Sequence, residues 1–291
     1  MLARGAWTSV SEMSRERRKP ACPAVLALAL VGSVGLGCAK EIIEVAPSDD
    51  IYAAATKDFE DGQYGAAVLR YRQFLDHYPL DPRTQEVEFR IAQAHYRDES
   101  YAEAIAAFSD FQRMYPTSPR LPEVEFTIAQ AHMDQMDSVD RDLAAARNAH
   151  DRFRSVLLRY PGTEYAEKAA TRLRECREHL AERELYIASF YFDRGELRAG
   201  ETRVKGLLDR YPDTDAAARA LRRLAAAASA AGEDDLGQLA ENAATELESA
   251  ALQDSGGMAS DTRPGGPALA ALREKLGTPS HRATSNPTSE S

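Results

Sequence analysis

The sequence predicts an all-α protein in which helix-turn-helix units repeat and stack as a solenoid. The first observation is a near-duplication, because VEFRIAQAHY at 87–96 returns thirty-seven residues later as VEFTIAQAHM at 124–133. The second is the dipeptide Tyr-Pro, which occurs at 78–79, 115–116, 160–161 and 211–212. The third is a run of apolar or small residues at fourteen, eleven, seven and four positions before each of these tyrosines. Steps of three and four place such residues on one helix face, and the proline ends the helix.

Each of these helices follows a second amphipathic stretch, and together they make five units. The units are predicted at 48–80, 84–117, 121–161, 163–212 and 214–250. An Ala…Phe…Pro spacing within a unit of about 34 residues resembles the tetratricopeptide repeat. The fourth unit has a long first helix, Glu164 to Asp193, and the Ala-rich fifth lacks the terminal proline, as a capping repeat does. The expected fold is a tetratricopeptide-repeat solenoid of about five units in a domain at 49–250.

Residues 1–37 are predicted to form a signal peptide with a lipobox. A cationic stretch at 14–19, SRERRK, precedes the apolar run 21–37, which ends in small residues. The sequence VGLGC at 34–38 resembles a bacterial lipobox, although Leu36 lies one place later than the usual leucine. We therefore expect Cys38 to be lipidated, with residues 38–48 as the linker behind it. The alternative is ordinary secretory cleavage near Gly37.

The residue after Cys38 bears on localisation. It is Ala39 and not aspartate, which by analogy with lipoprotein sorting indicates the periplasmic face of the outer membrane. The protein would then contact the membrane through its N-terminal lipid anchor.

The C-terminal segment 251–291 is predicted to be a disordered tail. Gly, Pro, Ser and Thr dominate from Asp254 onwards, a composition that cannot bury a core. Within the tail, ALAALREKLG at 268–277 is compatible with a transient helix or a docking segment. A solvated linker is the favoured interpretation.

His95 and His132, one in each copy of the duplicated segment, raise the question of a metal or catalytic site. In the tetratricopeptide register both fall at position eleven, where a side chain packs between the two helices of a unit. A metal needs further ligands that converge nearby, and the sequence contains no HExxH or CxxC motif. It also lacks GxSxG and phosphate-binding glycine loops. We therefore predict a binding protein, not an enzyme, without metal or cofactor.

Charge and cysteine content narrow the partners further. The formal net charge is −10 at pH 7, whereas nucleic-acid binding needs a basic surface, so nucleic acid is not expected as a partner. Cys22 leaves with the signal peptide and Cys38 is acylated, which leaves Cys176 without a disulfide partner. Because Cys176 shares helical spacing with Leu173 and Leu180, we expect it to pack as a small apolar side chain.

The stretch from Glu182 to Leu221 carries a more particular resemblance. Its long helix runs into LYIA at 185–188, then come the aromatic pair Tyr191-Phe192, the pair Arg194-Gly195, an Arg-containing helix, and YPDT at 211–214. This order resembles the BamD family of lipoproteins, and the likeness covers about residues 38–250. The resemblance implies an outer-membrane lipoprotein that scaffolds the β-barrel assembly machinery and binds unfolded outer-membrane proteins for insertion.

The resemblance also implies a set of partners. These are a BamA-like barrel subunit, other lipoproteins of the assembly machinery, and the C-terminal segments of unfolded outer-membrane proteins. One alternative is a tetratricopeptide-repeat envelope protein associated with Tol–Pal, but such proteins carry an N-terminal coiled coil. Here Ile51 follows Cys38 by thirteen positions without heptads. A periplasmic enzyme with a repeat domain is the other alternative, and no chemical motif supports it.

A client-binding groove is predicted on the first helices of the first three units. Positions 2, 5, 9, 12 and 13 of each unit face the concave surface of a stacked array. In this chain they are assigned to Tyr52, Thr56, Phe59, Phe89, Gln93, Tyr96, Arg97, Phe126, Gln130 and Met133. Aromatic rings would hold the side chains of an extended, aromatic-ended peptide, while Gln and Arg satisfy its backbone and terminal carboxylate. The alternative is that these aromatics only pack between repeats.

A second surface is implied by the resemblance, in which C-terminal repeats bind the periplasmic domains of the barrel subunit. Arg203, Arg210 and Arg219 lie on or beside the matching stretch and are expected to pair with acidic groups there. The position at which arginine is most expected, Ala218, holds alanine, so Arg219 is the neighbouring substitute. The alternative is that all three are solvated surface charges.

Overall fold

The structure, a computed structural model, describes residues 46–136, 138, 141, 143–253 and 266–277. The predicted signal peptide, Cys38 and nearly all of the linker lie outside this part of the chain. The described helices are α1 (Ser48–Glu60), α2 (Tyr64–His77), α3 (Thr84–Arg97), α4 (Tyr101–Met114), α5 (Leu121–Asp134), α6 (Ala144–Arg159), α7 (Glu164–Asp193), α8 (Leu197–Arg210), α9 (Asp215–Ala230), α10 (Asp234–Gln253) and α11 (Pro267–Gly277). The first ten pair into five consecutive helix-turn-helix units, so the predicted all-α repeat solenoid is confirmed.

The Tyr-Pro dipeptides end the second helix in four of the units. α2, α4, α6 and α8 each stop one residue before the tyrosine. In the first unit the Tyr78 N–H still donates to the Phe74 carbonyl oxygen at 2.8 Å, but the ψ of Tyr78 is 54°. A residue before proline is disfavoured in the helical region, and the proline lacks the N–H that would extend the ladder. The same two residues therefore set the length of each unit.

The core follows the repeat spacing. The residues seven and four positions before each of these tyrosines are all fully buried, namely Tyr71, Phe74, Phe108, Phe111, Phe153, Val156, Val204 and Leu207. The small residue eleven positions before permits close approach, and at Gly200 an added Cβ would overlap the Phe192 ring. Cys176 is buried as predicted, and burial raises the pKa of its thiol to about 12. None of the described helices combines the length and apolarity needed to cross a bilayer.

The turn inside the second unit differs from those of the first and fourth units. Gly62 and Gly195 adopt positive φ between the paired helices of the first and fourth units. At the equivalent place the second unit has Glu99, with a φ of 57°. A non-glycine residue in this left-handed region costs about 1–2 kcal/mol, so the second unit carries strain that glycine relieves elsewhere.

The C-terminal tail departs from its prediction. Residues 267–277 form α11, and its Leu269 and Leu272 are fully buried in the apolar cluster of α8, α9 and α10. The prediction of disorder for 251–291 is therefore wrong for α11, and α10 continues to Gln253. The prediction relied on the average composition of the segment. It did not weigh Leu269 and Leu272, which are three residues apart and form an apolar stripe that packs on the neighbouring helices. Residues 254–265 and 278–291 lie outside the described part.

Polar contacts also hold α11 in place. The Ala268 and Leu269 N–H groups donate to the Glu246 carboxylate of α10, each at 3.0 Å, which satisfies unpaired donors of the helix N-terminus. An added Cβ at Gly266 would overlap the same carboxylate. Arg273 Nη2 donates to the Leu208 carbonyl oxygen of α8 at 2.9 Å. The last helix is thus tied to both of its neighbours.

Candidate binding surfaces

The predicted groove residues of α1 take part in packing between helices. The Tyr52 ring lies 6.2 Å from the Tyr71 ring, and Thr56 Oγ1 shares a hydrogen bond of 3.3 Å with the Tyr71 hydroxyl. Phe59 lies beneath the Arg90 guanidinium of α3, with Cζ 5.5 Å from the ring centre. All three predicted residues are half-buried. These residues join α1 to α2 and α3. The rings of Tyr52 and Phe59 are therefore only partly accessible to a ligand.

Phe89 was assigned to the groove, and this assignment is wrong. Its side chain is 1% exposed and its ring lies 5.8 Å and 5.7 Å from the rings of Phe108 and Phe111. The Arg120 guanidinium covers the remaining face, with Cζ 4.4 Å from the ring centre. α3 turns this position towards α4, together with the fully buried Ala92 one turn later. The repeat register located the helix correctly but not the face of this residue.

Two of the predicted groove residues of α5 also pack between helices. Phe126 is half-buried, with its ring 5.5 Å from that of Phe153 and 5.8 Å from that of Tyr165. Met133 packs against the same cluster, which joins α5, α6 and α7. For both residues the contacts fit the alternative of packing between repeats.

A polar patch on α3 and α5 remains accessible, and it consists of Tyr96, Arg97, Gln130 and Asp134. The Tyr96 hydroxyl donates to Asp134 Oδ2 at 2.7 Å, and Gln130 Nε2 donates to Asp134 Oδ1 at 2.8 Å. Burial, followed by the Asp134 carboxylate, raises the pKa of Tyr96. Arg97 is exposed beside them. Gln93, the other predicted amide, is half-buried and donates to Glu123 Oε1 at 3.4 Å.

The two repeated histidines are half-buried side chains. Burial lowers the pKa of His95, and the positive charge of Arg72 lowers it further. Burial and Arg152 have the same effect on His132. Both imidazoles are therefore neutral at physiological pH. Over the part of the chain that the structure describes, no group of three or more His, Cys, Asp or Glu side chains is arranged to hold a metal ion.

Arg203 and Arg210 of α8 flank a carboxylate of α7. Glu184 Oε1 lies 2.6 Å from Arg210 Nη2, and Glu184 Oε2 lies 3.7 Å from Arg203 Nη1. The glutamate side chain is 13% exposed, whereas the arginine side chains are 44% and 53% exposed. Together with Tyr191 and Thr202 they line a cleft of about 270 Å³. The cleft presents two cations around one half-buried anion.

Arg219 of α9 is paired with α7 as well. Its Nη2 lies 3.0 Å from Glu178 Oε1 and also donates to Glu182. Glu178 in turn accepts the N–H groups of Asp215 and Ala216, both at 2.9 Å, at the N-terminus of α9. Burial nevertheless raises the pKa of Glu178. This carboxylate fixes the start of α9 against α7, and Arg219 closes over it.

Each of the three arginines therefore has an acidic partner on α7, and these partners, Glu184 and Glu182, lie on opposite faces of that helix. Sequence reasoning missed these partners, although Glu178 and Glu182 lie one turn apart on a long helix. The arginines remain about half-exposed, and a guanidinium has five N–H donors. Each of them retains the capacity to bind a further carboxylate.

These features define a class of protein, a helical-repeat solenoid with polar side chains exposed along its helices. The family model described as YfiO, outer membrane lipoprotein, matches residues 45–244. The chain is 30% identical over 209 residues to the outer membrane protein assembly factor BamD of Caulobacter vibrioides, which covers 69% of this chain and 68% of that protein. It is 28% identical over 207 residues to BamD of Vibrio cholerae, covering 68% and 85%. The chain belongs to the BamD family.

Solved structures show more distant likenesses. The crystal structure of MamA matches with a TM-score of 0.32 and 14% identity, over 73% of this chain and 98% of that chain. The TPR2AB domain of yeast Sti1 matches with a TM-score of 0.36 and 15% identity, over 79% and 98%. These scores are low, and the fold assignment rests on the helices described above.

Proposed function

We propose that the chain is a lipid-anchored outer-membrane scaffold of the β-barrel assembly machinery that binds unfolded outer-membrane proteins for insertion. The observation that carries the proposal is the family match across residues 45–244, which takes in nearly all of the five repeat units. Relatives of similar length are named outer membrane protein assembly factors. The protein would act by binding, without catalysis, because its accessible side chains form ion pairs and amide contacts suited to protein surfaces.

The anchor is expected to be an acylated Cys38. Two or more acyl chains hold a protein firmly to a bilayer, whereas the domain alone has no comparable apolar segment among its described helices. Cys38→Ala should therefore move the protein from the outer-membrane fraction to the soluble periplasm or leave it unprocessed. The measurement is membrane fractionation followed by immunoblotting. Cys176→Ala, which alters a buried thiol, is the control, and outer-membrane retention of Cys38→Ala would refute the anchor.

A BamA-like barrel subunit is proposed to dock on the arginines of α8 and α9. The support is their exposure together with the half-buried Glu184, which accepts a hydrogen bond from Arg210 and lies 3.7 Å from Arg203. Carboxylates of the docking subunit would bind these arginines while Glu184 remains bound on the other side. Reversing the charge of Arg219 is a poor test, because an acid there would repel Glu178 and Glu182 and loosen α9.

Arg203→Ala combined with Arg210→Ala should weaken binding of the purified periplasmic domains of that subunit by tenfold or more. A hydrogen bond to a charged group contributes about 1.5–3 kcal/mol, and 1.4 kcal/mol is tenfold in affinity. The measurement is a titration by calorimetry, with a melting curve to verify folding. Arg113→Ala is the matched control, since Arg113 is also exposed and paired with an acid on its own helix. Equal affinities for the two variants would place docking elsewhere.

Clients are proposed to bind the polar patch of α3 and α5, with their terminal carboxylate at Arg97. Arg97→Ala should weaken binding of a synthetic C-terminal barrel peptide by about tenfold to 100-fold, as expected for a charged hydrogen bond. Amidation of the C-terminal carboxylate of the peptide should lower the affinity by the same factor. Combining amidation with Arg97→Ala should lower the affinity no further than either change alone. Fluorescence anisotropy of a labelled peptide measures all four combinations. If the two losses of affinity were additive, Arg97 would not be the residue that binds the terminal carboxylate of the peptide.

A further inference from the structure

An exposed aromatic pair on α7 is explained neither by the core nor by the surfaces proposed above. Tyr186 and Phe190 are 52% and 54% exposed and lie one helical turn apart. The other exposed large apolar side chains among the described residues lie singly on α2, after α2, on α4 and on α6, namely Leu69, Leu80, Met114 and Leu158. Scattered residues of that kind are normal, whereas adjacent exposed rings on one helix face mark an interaction site.

Arginines border the pair at both ends. Arg183 Cζ lies 5.8 Å from the ring centre of Tyr186, and Arg194 Cζ lies 5.4 Å from that of Phe190. Steps of three and four join Arg183, Tyr186, Phe190 and Arg194 into one row, which we call the α7 stripe. Arg194 Nε already donates to Glu196 Oε1 at 3.1 Å, but a guanidinium has five N–H donors and is able to bind a further carboxylate.

The α7 stripe faces away from the arginine cleft. At 100° per residue, Tyr186 is turned by roughly 160° from Glu184, which points at α8. Leu185 and Ala188 lie on the face of α7 that packs into the core, and both are buried. A ligand on the α7 stripe therefore leaves Arg203 and Arg210 accessible, so the two surfaces are able to hold two partners at once.

We propose that the α7 stripe docks a short segment of a second subunit of the assembly machinery, in which an apolar anchor is flanked by acidic residues. The anchor would lie against the Tyr186 and Phe190 rings, and the acidic residues would face Arg183 and Arg194. This charge complementarity selects the occupant, and the identity of the partner rests on the proposed function.

The first experiment uses the full lipidated chain with an affinity tag, purified from cells in mild detergent. Tyr186→Ser with Phe190→Ser should reduce one co-purifying subunit by tenfold or more, because aromatic anchors dominate interfaces. Leu69→Ser with Leu158→Ser is the matched control, since it also removes two exposed apolar side chains, and it should change nothing. Circular dichroism melting verifies that both variants fold.

The outcomes separate the two proposals. If the unchanged chain retains no assembly subunit, the proposed function fails and the docking inference fails with it. If the unchanged chain retains its subunits and the aromatic variant retains them equally, the docking inference is overturned while the function stands. Selective loss of one subunit in the aromatic variant supports the inference.

A second experiment tests the chemistry of the occupant. The photocrosslinking residue benzoylphenylalanine at Phe190 should join the chain to a partner peptide with Asp or Glu within about one helical turn of the crosslinked residue, as located by mass spectrometry. A crosslink to a basic segment or to lipid overturns the inference. So does binding of the soluble Cys38→Ala chain to phosphatidylglycerol vesicles that is lost on Tyr186→Ser with Phe190→Ser, because a membrane would then be the occupant.

Discussion

Phe89→Ala is expected to lower the free energy of unfolding by about 3–5 kcal/mol, the usual cost of a phenylalanine-sized cavity in a packed core. The ring is 1% exposed and contacts the rings of Phe108 and Phe111, so little of the space is able to collapse. The same cluster includes Val124 and Ile128 of α5. Because a repeat array is stabilised by contacts between neighbouring units, the loss should uncouple the second unit from the third.

Thermal and urea denaturation followed by circular dichroism provide the measurement. For a domain of this size the expected fall in Tm is about 6–20 °C. Leu158→Ala is the control, since its side chain is 73% exposed and surface changes stay within about 0.5 kcal/mol. If Phe89→Ala melted with the control yet lost affinity for client peptides, Phe89 would belong to the groove after all and its burial would not describe the protein in solution.

The contrast between Phe89 and Tyr96 shows how far the repeat register reaches. Spacing alone located the helices, because Tyr-Pro ends them and a residue four or seven positions earlier must face the partner helix. It did not settle which first-helix residues reach solvent, because residues on nearly the same face of α3 differ in what covers them, and the Phe108 and Phe111 rings and Arg120 cover Phe89. Tyr96 ended on the surface with Asp134 as its partner, whereas Phe89, seven residues earlier, ended inside.

Ion pairs between side chains of different helices could not be predicted from the local sequence pattern either. Arg203 and Arg210 belong to a helix that the sequence indicated clearly, but Glu184 lies on another helix, and only the packing of α7 on α8 brings them together. Arg219 likewise meets Glu178 and Glu182 across a helix interface. The charges predicted to pair with a partner subunit, or alternatively to be solvated, already have acidic partners within the chain. A docking partner would therefore meet oriented guanidinium groups.

The ordered end of the domain is the largest departure from expectation, and it gives the last prediction. Leu269→Asp with Leu272→Asp should detach α11 from α8 and α10. Each buried leucine contributes about 1.5–3 kcal/mol, so the pair supplies roughly 3–6 kcal/mol to the docking of this helix. A carboxylate is not accommodated in an apolar cluster without a partner. An isolated helix of eleven residues is in turn too short to persist in water.

Amide hydrogen exchange measured by mass spectrometry follows this detachment directly. Protection of residues 267–277 should fall by about 10² to 10⁴, since 1.4 kcal/mol corresponds to tenfold. Ala270→Asp with Ala271→Asp is the matched control, because it adds the same two charges to the exposed face of the same helix. Protection in α3 and α4 should remain unchanged in both variants, as α11 packs only at the C-terminal end of the described units. Full protection of α11 in the leucine variant would mean that Glu246 and Arg273, not the two leucines, hold this helix on the solenoid.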